Sequence, residues 1–221
     1  MSWETALDNR IHDYLPDLKW VENEPMAKHT SFRIGGPARR MAFPKTREQL
    51  VVLMGFLQDA GVKPLLIGNG TNLLVSDEGL DTVVIDTSAE LSRLDLTGDG
   101  EITADAGVSL ATLAVFAWKN GLKGLAFAHG IPGTLGGGIV MNAGAYGGEL
   151  KDVVTEVTVL YPDGVKVLTP AQLDFSYRHS VFSAGEGIVL GAKLKLETGN
   201  KDAIKAEMDE LMARRKASQP L

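Results

Sequence analysis

Four consecutive residues, Tyr177-Arg178-His179-Ser180, set a phenol, a guanidinium, an imidazole and a hydroxyl side by side. They lie between Phe175 and Val181-Phe182, just ahead of an apolar strand pattern. A guanidinium there would point along a buried cleft and could hold a carboxylate, or a developing enolate, through a bidentate contact. The competing account pairs Arg178 with a surface acid and puts Tyr177 in the core. Ser180 beside His179 makes no triad, because adjacent side chains rarely face one another and no G-x-S-x-G turn occurs. His29, His129 and His179 do not fall at metal-ligand spacing and His12 sits on a helix face, so no metal site is expected.

A second chemical feature is the stretch from Gly121 to Leu150, in which ten of thirty residues are glycine. It is largely apolar, with His129, Thr134 and Asn142 among its few polar members, so it should be buried and wrap something. Gly130, Gly133 and the run Gly136–Gly138 allow close main-chain approach, and successive N–H groups form a concavity suited to phosphate without a lysine. The spacing G-x-x-G-x-x-G of Gly130, Gly133 and Gly136 departs from the G-x-G-x-x-G of a Rossmann turn. The expected ligand is a large anionic cofactor with a flat apolar part; the alternative is that these glycines serve turns and tight packing. A shorter turn of the same kind, Gly68-Asn69-Gly70-Thr71-Asn72-Leu73, joins a buried strand to another apolar segment, where phosphate-cradling loops tend to sit. There the alternative is that the Asn and Thr side chains bond their own main chain.

The elements that must position these residues read as α+β. Leu7, Ile11, Tyr14 and Leu15 define one face of an opening helix that Pro16 ends. Thr46 with Gln49 forms a capping box ahead of Leu50, Leu53 and Leu57. Strands are expected at 39–43, 65–68 and 82–86, with LTGDGE (96–101) as a loop between two lobes. Ser109 caps a helix ending at Asn120-Gly121, and Val157 to Leu168 form a hairpin around Pro162-Asp163-Gly164. Ile188 to Leu196 alternate as one strand, and Asn200 caps a last helix carrying Ile204, Met208 and Leu211 inward.

A chain of 221 residues can bury one large domain or two small ones. The net charge of −6 and the lack of a basic patch argue against nucleic acid as the main partner. With no cysteine there is no disulfide, thiolate metal site or cysteine nucleophile. No signal peptide and no membrane span are read, so a cytoplasmic protein is expected.

Taken together, HTSFRIGGPA at 29–38, GNGTNLLVSD at 68–77, GIPGTLGGGIVMNAGAYGGE at 130–149 and YRHSVF at 177–182 closely resemble the bacterial UDP-N-acetylenolpyruvoylglucosamine reductase family, in order and in spacing. The resemblance spans residues 20–221. It implies a two-lobed α+β FAD-binding domain of the vanillyl-alcohol-oxidase (PCMH) type, with lobes at 1–95 and 96–221 clamping FAD. It assigns cofactor binding, largely through main-chain N–H groups, to Gly68, Asn69, Gly70, Thr71, Asn72 and Leu73. In the central stretch the same role falls to Gly130, Ile131, Pro132, Gly133, Thr134, Gly136, Gly137, Asn142, Gly144 and Ala145.

Members of that family use NADPH to reduce FAD, then pass a hydride to the enolpyruvyl double bond of UDP-N-acetylglucosamine enolpyruvate, giving the peptidoglycan precursor UDP-N-acetylmuramate. The family's Y-R-x-S motif makes Arg178 the catalytic arginine, stabilising the enolate, with Tyr177 beside it at the substrate. The connection after Phe182 resembles the shorter subtype, which lacks an inserted tyrosine-bearing loop. Family members continue past the counterpart of Gln219–Leu221 into a third, substrate-binding domain that supplies a protonating serine and a late glutamate. This sequence ends ahead of both, so the expectation is a chain without that domain and without complete turnover. A monomer acting on a small UDP-sugar, without nucleic-acid or membrane partner, is expected. The alternative is a non-catalytic flavin- or nucleotide-binding module. Arg214, Arg215 and Lys216 are read as a solvated helix end.

Overall fold

A short polar residue starts each α-helix among the described residues, 2–219 of a computed structural model. Ser2 precedes α1 (Trp3–Tyr14), Thr46 precedes α2 (Arg47–Asp59) and Ser109 precedes α3 (Leu110–Lys119). Thr134 precedes α4 (Leu135–Val140) and Asn200 precedes α5 (Lys201–Ser218). Each side chain accepts a first-turn N–H that no helical carbonyl can reach. The box at Thr46 closes one residue early: Gln49 Oε1 accepts the N–H of Lys45, not that of Thr46. Helix α1 stops at Tyr14 because Leu15, preceding a proline, leaves the helical region at φ −133. Its inner face is Leu7, Ile11 and Leu15; Tyr14, expected inward, is 70% exposed and meets Phe56 edge-on.

The chain divides into two units between Ser92 and Arg93. In the first, β1 (Lys19–Pro25), β2 (Pro37–Phe43), β3 (Leu65–Ile67) and β4 (Leu80–Asp86) form one sheet in the order β1-β2-β4-β3. Strand β1 is antiparallel to β2, while β4 runs parallel to both β2 and β3. Met26, Met41, Phe43, Ile67 and Val84 make its core. Leu50, Leu53 and Leu57 of α2 are fully buried at the helical spacing expected of them.

The second unit holds a five-stranded antiparallel sheet, β11-β10-β12-β6-β5. Its hairpins are β5 (Leu94–Gly98) with β6 (Glu101–Asp105) and β10 (Val154–Tyr161) with β11 (Gly164–Leu168), and β12 (Ile188–Lys195) lies between them. The segment 96–101 is therefore the turn of the β5–β6 hairpin inside this unit, not a connection between lobes. Strand β12 alternates only in its second half; Val189 through Ala192 are all buried, because a central strand covered by α4 has no solvent face. Short pairs complete the unit: β7 (Leu122–Lys123) with β13 (Glu197–Thr198), and β8 (Gly144–Ala145) with β9 (Gly148–Glu149). Leu110, Leu113, Leu135, Ile139, Val157 and Leu194 lie in its core, joined by Ile204 and Met208 of α5. Among the described residues no helix is long and apolar enough to cross a membrane.

One charged link ties α1 to the first sheet. Arg40, 7% exposed on β2, donates from Nε and Nη2 to the two oxygens of Asp8 at 2.9 and 2.7 Å, and Trp20 Nε1 donates to the same carboxylate at 2.7 Å. The Arg40 hydrogen bond holds the Asp8 carboxyl below its ordinary range, against the opposing effect of burial. A carboxylate with a depressed folded-state pKa adds stability above its unfolded pKa and loses it as pH falls through the folded value. Asp8→Asn should therefore cost about 2 kcal/mol near neutral pH by leaving Arg40 half-partnered. Thermal unfolding of the two proteins should converge as pH falls through the lowered folded-state pKa of Asp8, where that carboxyl is itself protonated; a constant gap on acidification would remove the charge from the account.

Candidate functional site

Each unit carries a candidate site built on the glycine turns. In the first, β3 delivers the chain into Gly68–Leu73, and Gly70 turns it at φ +58. A Cβ on Gly70 would lie 1.9 Å from the carbonyl oxygen of His29, so the main chain itself requires glycine there. Ser31 N–H donates to Gly70 O at 3.1 Å, which backs the His29–Ser31 segment onto the turn. The main-chain N–H groups of Asn69, Gly70, Thr71 and Asn72 find no protein acceptor among the described residues, and the side chains of Asn69, Thr71 and Asn72 make no hydrogen bond either. The self-bonded turn considered as the alternative is thus not formed. What remains is a short run of free donors, the requirement for an anion cradle.

Beside this turn Gly68 and Asn69 line a polar hollow of about 270 Å³ with Lys28, His29, Asp86 and Ser88. His29 is held between two carboxylates, Nδ1 facing Asp86 Oδ2 at 3.2 Å and Nε2 facing Glu24 Oε1 at 3.1 Å. Asp86 is buried, and its other oxygen accepts both the N–H and the hydroxyl of Ser88.

In the second unit the glycines divide by task. Gly136 and Gly138 are buried in α4, where added Cβ atoms would lie 2.9 Å from Ala106 Cβ and 2.8 Å from Leu150 Cδ1. Gly137 is exposed, with only its own cap Thr134 within 4 Å of that position. Most N–H groups here are already engaged: Gly133 donates to Ile131, Leu135 to Val108, Gly136 to Ala106 and Gly138 to Thr134. Those of Gly130 and Thr134 have no protein acceptor among the described residues. Pro132 is exposed and Ile131 packs on the core, while Arg215 of α5 reaches the Gly130 main chain. His129 Nδ1 is the one buried side-chain polar atom among the described residues without a partner. An unengaged ring nitrogen, two free N–H groups and the open side of Gly137 are features a polar group of a bound cofactor would satisfy.

A third cluster lies at the other end of α4. Asn142, Gly144, Ala145 and Glu149 line a pocket of about 200 Å³ with Tyr177 and Arg178, and Tyr146 and Gly147 of the β8–β9 turn complete its rim. Tyr177 is 84% exposed and Arg178 is exposed, with no carboxylate within 4 Å among the described residues. Neither arm of the structural account, a core tyrosine and a paired arginine, is observed. Arg178 sits at φ +54, a conformation that costs about 1 kcal/mol for a residue with a Cβ and that collects at functional positions. Glu149 is held below the usual carboxylate range by hydrogen bonds from Lys151 and Asn142, with a smaller contribution from the field of Arg178. Ser180 is fully buried and donates to Val140 O at 2.7 Å, which makes it an anchor of the turn. No group of three or more His, Asp or Glu side chains among the described residues could hold a metal ion.

Sequence reasoning missed Tyr146 and Glu149 at this pocket, Lys151 paired with Glu149, and the carboxylates around His29. Glu149 stands inside the quoted GAYGGE motif, but its partner Asn142 is seven residues away at no regular period; that pairing needs the folded chain.

Comparison with known proteins agrees with this geometry. A family model described as the FAD binding domain matches residues 38–169. The UDP-N-acetylenolpyruvoylglucosamine reductase of Caldanaerobacter subterraneus subsp. tengcongensis is 46% identical over 216 residues, covering 97% of this chain and 71% of its own length. The crystal structure of the UDP-N-acetylenolpyruvylglucosamine reductase from Thermus caldophilus superposes with a TM-score of 0.77 at 35% identity, over 92% of this chain and 71% of that one. An alkyldihydroxyacetonephosphate synthase structure shares the fold alone, with a TM-score of 0.64 at 18% identity over 87% of this chain and 40% of its own. At this identity and coverage, and with this fold in common, the chain belongs to the UDP-N-acetylenolpyruvoylglucosamine reductase family, built on the vanillyl-alcohol-oxidase type of FAD-binding fold.

Proposed function

We propose that this chain serves the NADPH-driven reduction of UDP-N-acetylglucosamine enolpyruvate to UDP-N-acetylmuramate, a cytoplasmic step in making peptidoglycan precursors. Each unit is read as one lobe of the flavin domain, and the chain as a monomer. The observation that carries the reading is Arg178: an exposed guanidinium without an ion-pair partner among the described residues, on a strained turn over a pocket lined by glycine and tyrosine.

FAD, when bound, supplies the hydride and is recharged by NADPH. In the first unit the free N–H groups of Asn69 to Asn72 fit a pyrophosphate, and Gly70 keeps the turn in the shape that presents them. In the second unit Gly130 and Thr134 offer N–H groups without an acceptor among the described residues and Gly137 an open side, while Gly136 seats α4 on Ala106.

The substrate's vinyl ether bears a carboxylate on the carbon next to its terminal CH2. Hydride addition to that CH2 leaves the electron pair of the double bond on the neighbouring carbon, delocalised into the carboxylate, and a proton then adds there. Arg178 meets the carboxylate as its negative charge grows, so its donors contribute more in the transition state than in the ground state. Glu149, kept ionised by Lys151 and Asn142, does not neutralise Arg178 by direct pairing, which leaves the guanidinium for the ligand. The phenol of Tyr177 stands beside it as a further donor.

Two experiments test this reading. In a full-length family protein carrying this segment, Arg178→Ala should lower the NADPH-dependent turnover of the enolpyruvyl substrate about a thousandfold while FAD affinity stays within about twofold, and Arg178→Lys should recover only part of the loss because the bidentate fork is gone. Equal loss of turnover and of FAD would make Arg178 a structural residue. The glycines should separate in visible absorption and thermal melting: Gly137→Val loses bound FAD with its melting temperature kept, Gly136→Val chiefly lowers the melting temperature through its clash with Ala106, and Gly70→Ala does both because its Cβ meets the His29 carbonyl. A fully yellow Gly137→Val protein would take that glycine out of the cofactor site.

A further inference from the structure

We infer that Asn142 is the positioning residue for Arg178, fixing the base of the turn that presents the guanidinium; the inference rests on the catalytic role proposed for Arg178. The turn has a two-residue tip. Ser176 and His179 exchange both main-chain hydrogen bonds at 3.2 Å, leaving Tyr177 and Arg178 between them, both exposed. An exposed tip has little packed against it, so its direction must be set at its base.

At that base the chain is tied twice to the end of α4. Asn142 Nδ2 donates to Ser176 O at 3.0 Å, and Ser180 Oγ donates to Val140 O at 2.7 Å. Asn142 carries more than one of these links. The same Nδ2 donates to Glu149 Oε2 at 2.8 Å, and Oδ1 accepts the N–H of Lys151 at 3.0 Å. One buried amide thus joins α4, the Glu149–Lys151 segment and the arginine turn.

The orientation of that amide is settled by its partners. A carbonyl and an ionised carboxylate can only accept, and a main-chain N–H can only donate, so nitrogen must face the first two and oxygen the third. Asparagine alone among the residues of this size meets that pattern. Aspartate would set a second carboxylate against Glu149 and against Ser176 O. The residue also sits at φ +40, a region asparagine tolerates better than most side chains. At 2% exposure, with three of its hydrogen bonds made inside the protein, the amide has little left for a cofactor or substrate. It acts through Arg178 instead. Displacing the turn by about 1 Å is enough to cost a hundredfold in rate where a guanidinium must meet a carboxylate in a bidentate contact.

The test is a double-mutant cycle on the FAD-loaded, full-length family protein carrying this segment, with NADPH and the enolpyruvyl substrate. Asn142→Asp should lower kcat about a hundredfold with FAD affinity kept within about threefold, and should cost nothing further in an Arg178→Ala background. Additive losses, or a parallel loss of FAD, would overturn the inference by making Asn142 an independent structural or cofactor residue. If Arg178→Ala proves fully active, the role of Arg178 fails separately, and amide exchange decides for Asn142. Exchange across 176–180 should be at least about tenfold faster in Asn142→Asp than in the parent, and unchanged rates would overturn the positioning role whatever the activity. Should the variant fail to fold, the parent protein still answers: the Asn142 side-chain amide protons should exchange slowly, and rapid exchange would show that the links are not made.

Discussion

The second unit depends on how closely α4 approaches the chain just past β6, at Ala106 to Val108. Gly136 N–H donates to Ala106 O at 2.8 Å, Leu135 N–H donates to Val108 O at 2.8 Å, and Gly136 brings its Cα where a Cβ would collide with Ala106. A six-residue helix has almost no stability of its own, because nucleation costs more than so few internal bonds return. Docked through two of its first N–H groups, it is fixed to the segment that leaves the sheet at the end of β6. Both ends then acquire fixed positions. The Thr134 end presents Gly137 and two free N–H groups, and the Val140–Asn142 end carries the base of the arginine turn.

This arrangement alters what a glycine-rich stretch signifies. Phosphate loops are read from glycine because glycine lets amides face outward. Here Gly136 and Gly138 serve the opposite purpose, drawing their residues inward against Ala106 and Leu150, and only Gly137 of the three leaves its side open. In the first unit the relation is the expected one: Gly70 at φ +58 lies next to amides that no protein group satisfies. Glycine count alone cannot separate the two uses, since both need the missing Cβ. The partner atoms separate them, a protein carbonyl for Gly136 and none among the described residues for Asn69 to Asn72.

That distinction marks where the sequence stops being legible. Local chemistry was readable: the caps at Thr46, Ser109 and Asn200, the hairpin at Pro162-Asp163 and the buried spacing of Leu50, Leu53 and Leu57 all depend on interactions within a few residues. Segment 96–101 was misread because a Gly-Asp-Gly turn looks alike whether it closes a hairpin or joins two lobes; only the pairing of Leu94–Gly98 with Glu101–Asp105 decides. Tyr14 was misread because its place on the helix predicts a face but not what covers that face, and its ring meets Phe56 at the surface. At the candidate site the turns and Arg178 were visible as motifs. The support beneath them was not, because Asn142 meets Ser176 across 34 residues and His29 meets Asp86 across 57.

Those long links share a physical logic. Each candidate turn places main-chain or guanidinium donors in the open, and donors without partners favour any nearby acceptor, including the protein's own carboxylates. Acidic groups beside such turns must therefore be occupied elsewhere. Asp86 accepts from Ser88 and faces His29, which also faces Glu24; Glu149 accepts from Lys151 and Asn142. With those carboxylates engaged, the free amides of Asn69 to Asn72 and the guanidinium of Arg178 stay available for an external anion. In a chain of net charge −6, keeping a few donors clear of its own acids is the electrostatic condition for binding an anionic cofactor or substrate at all.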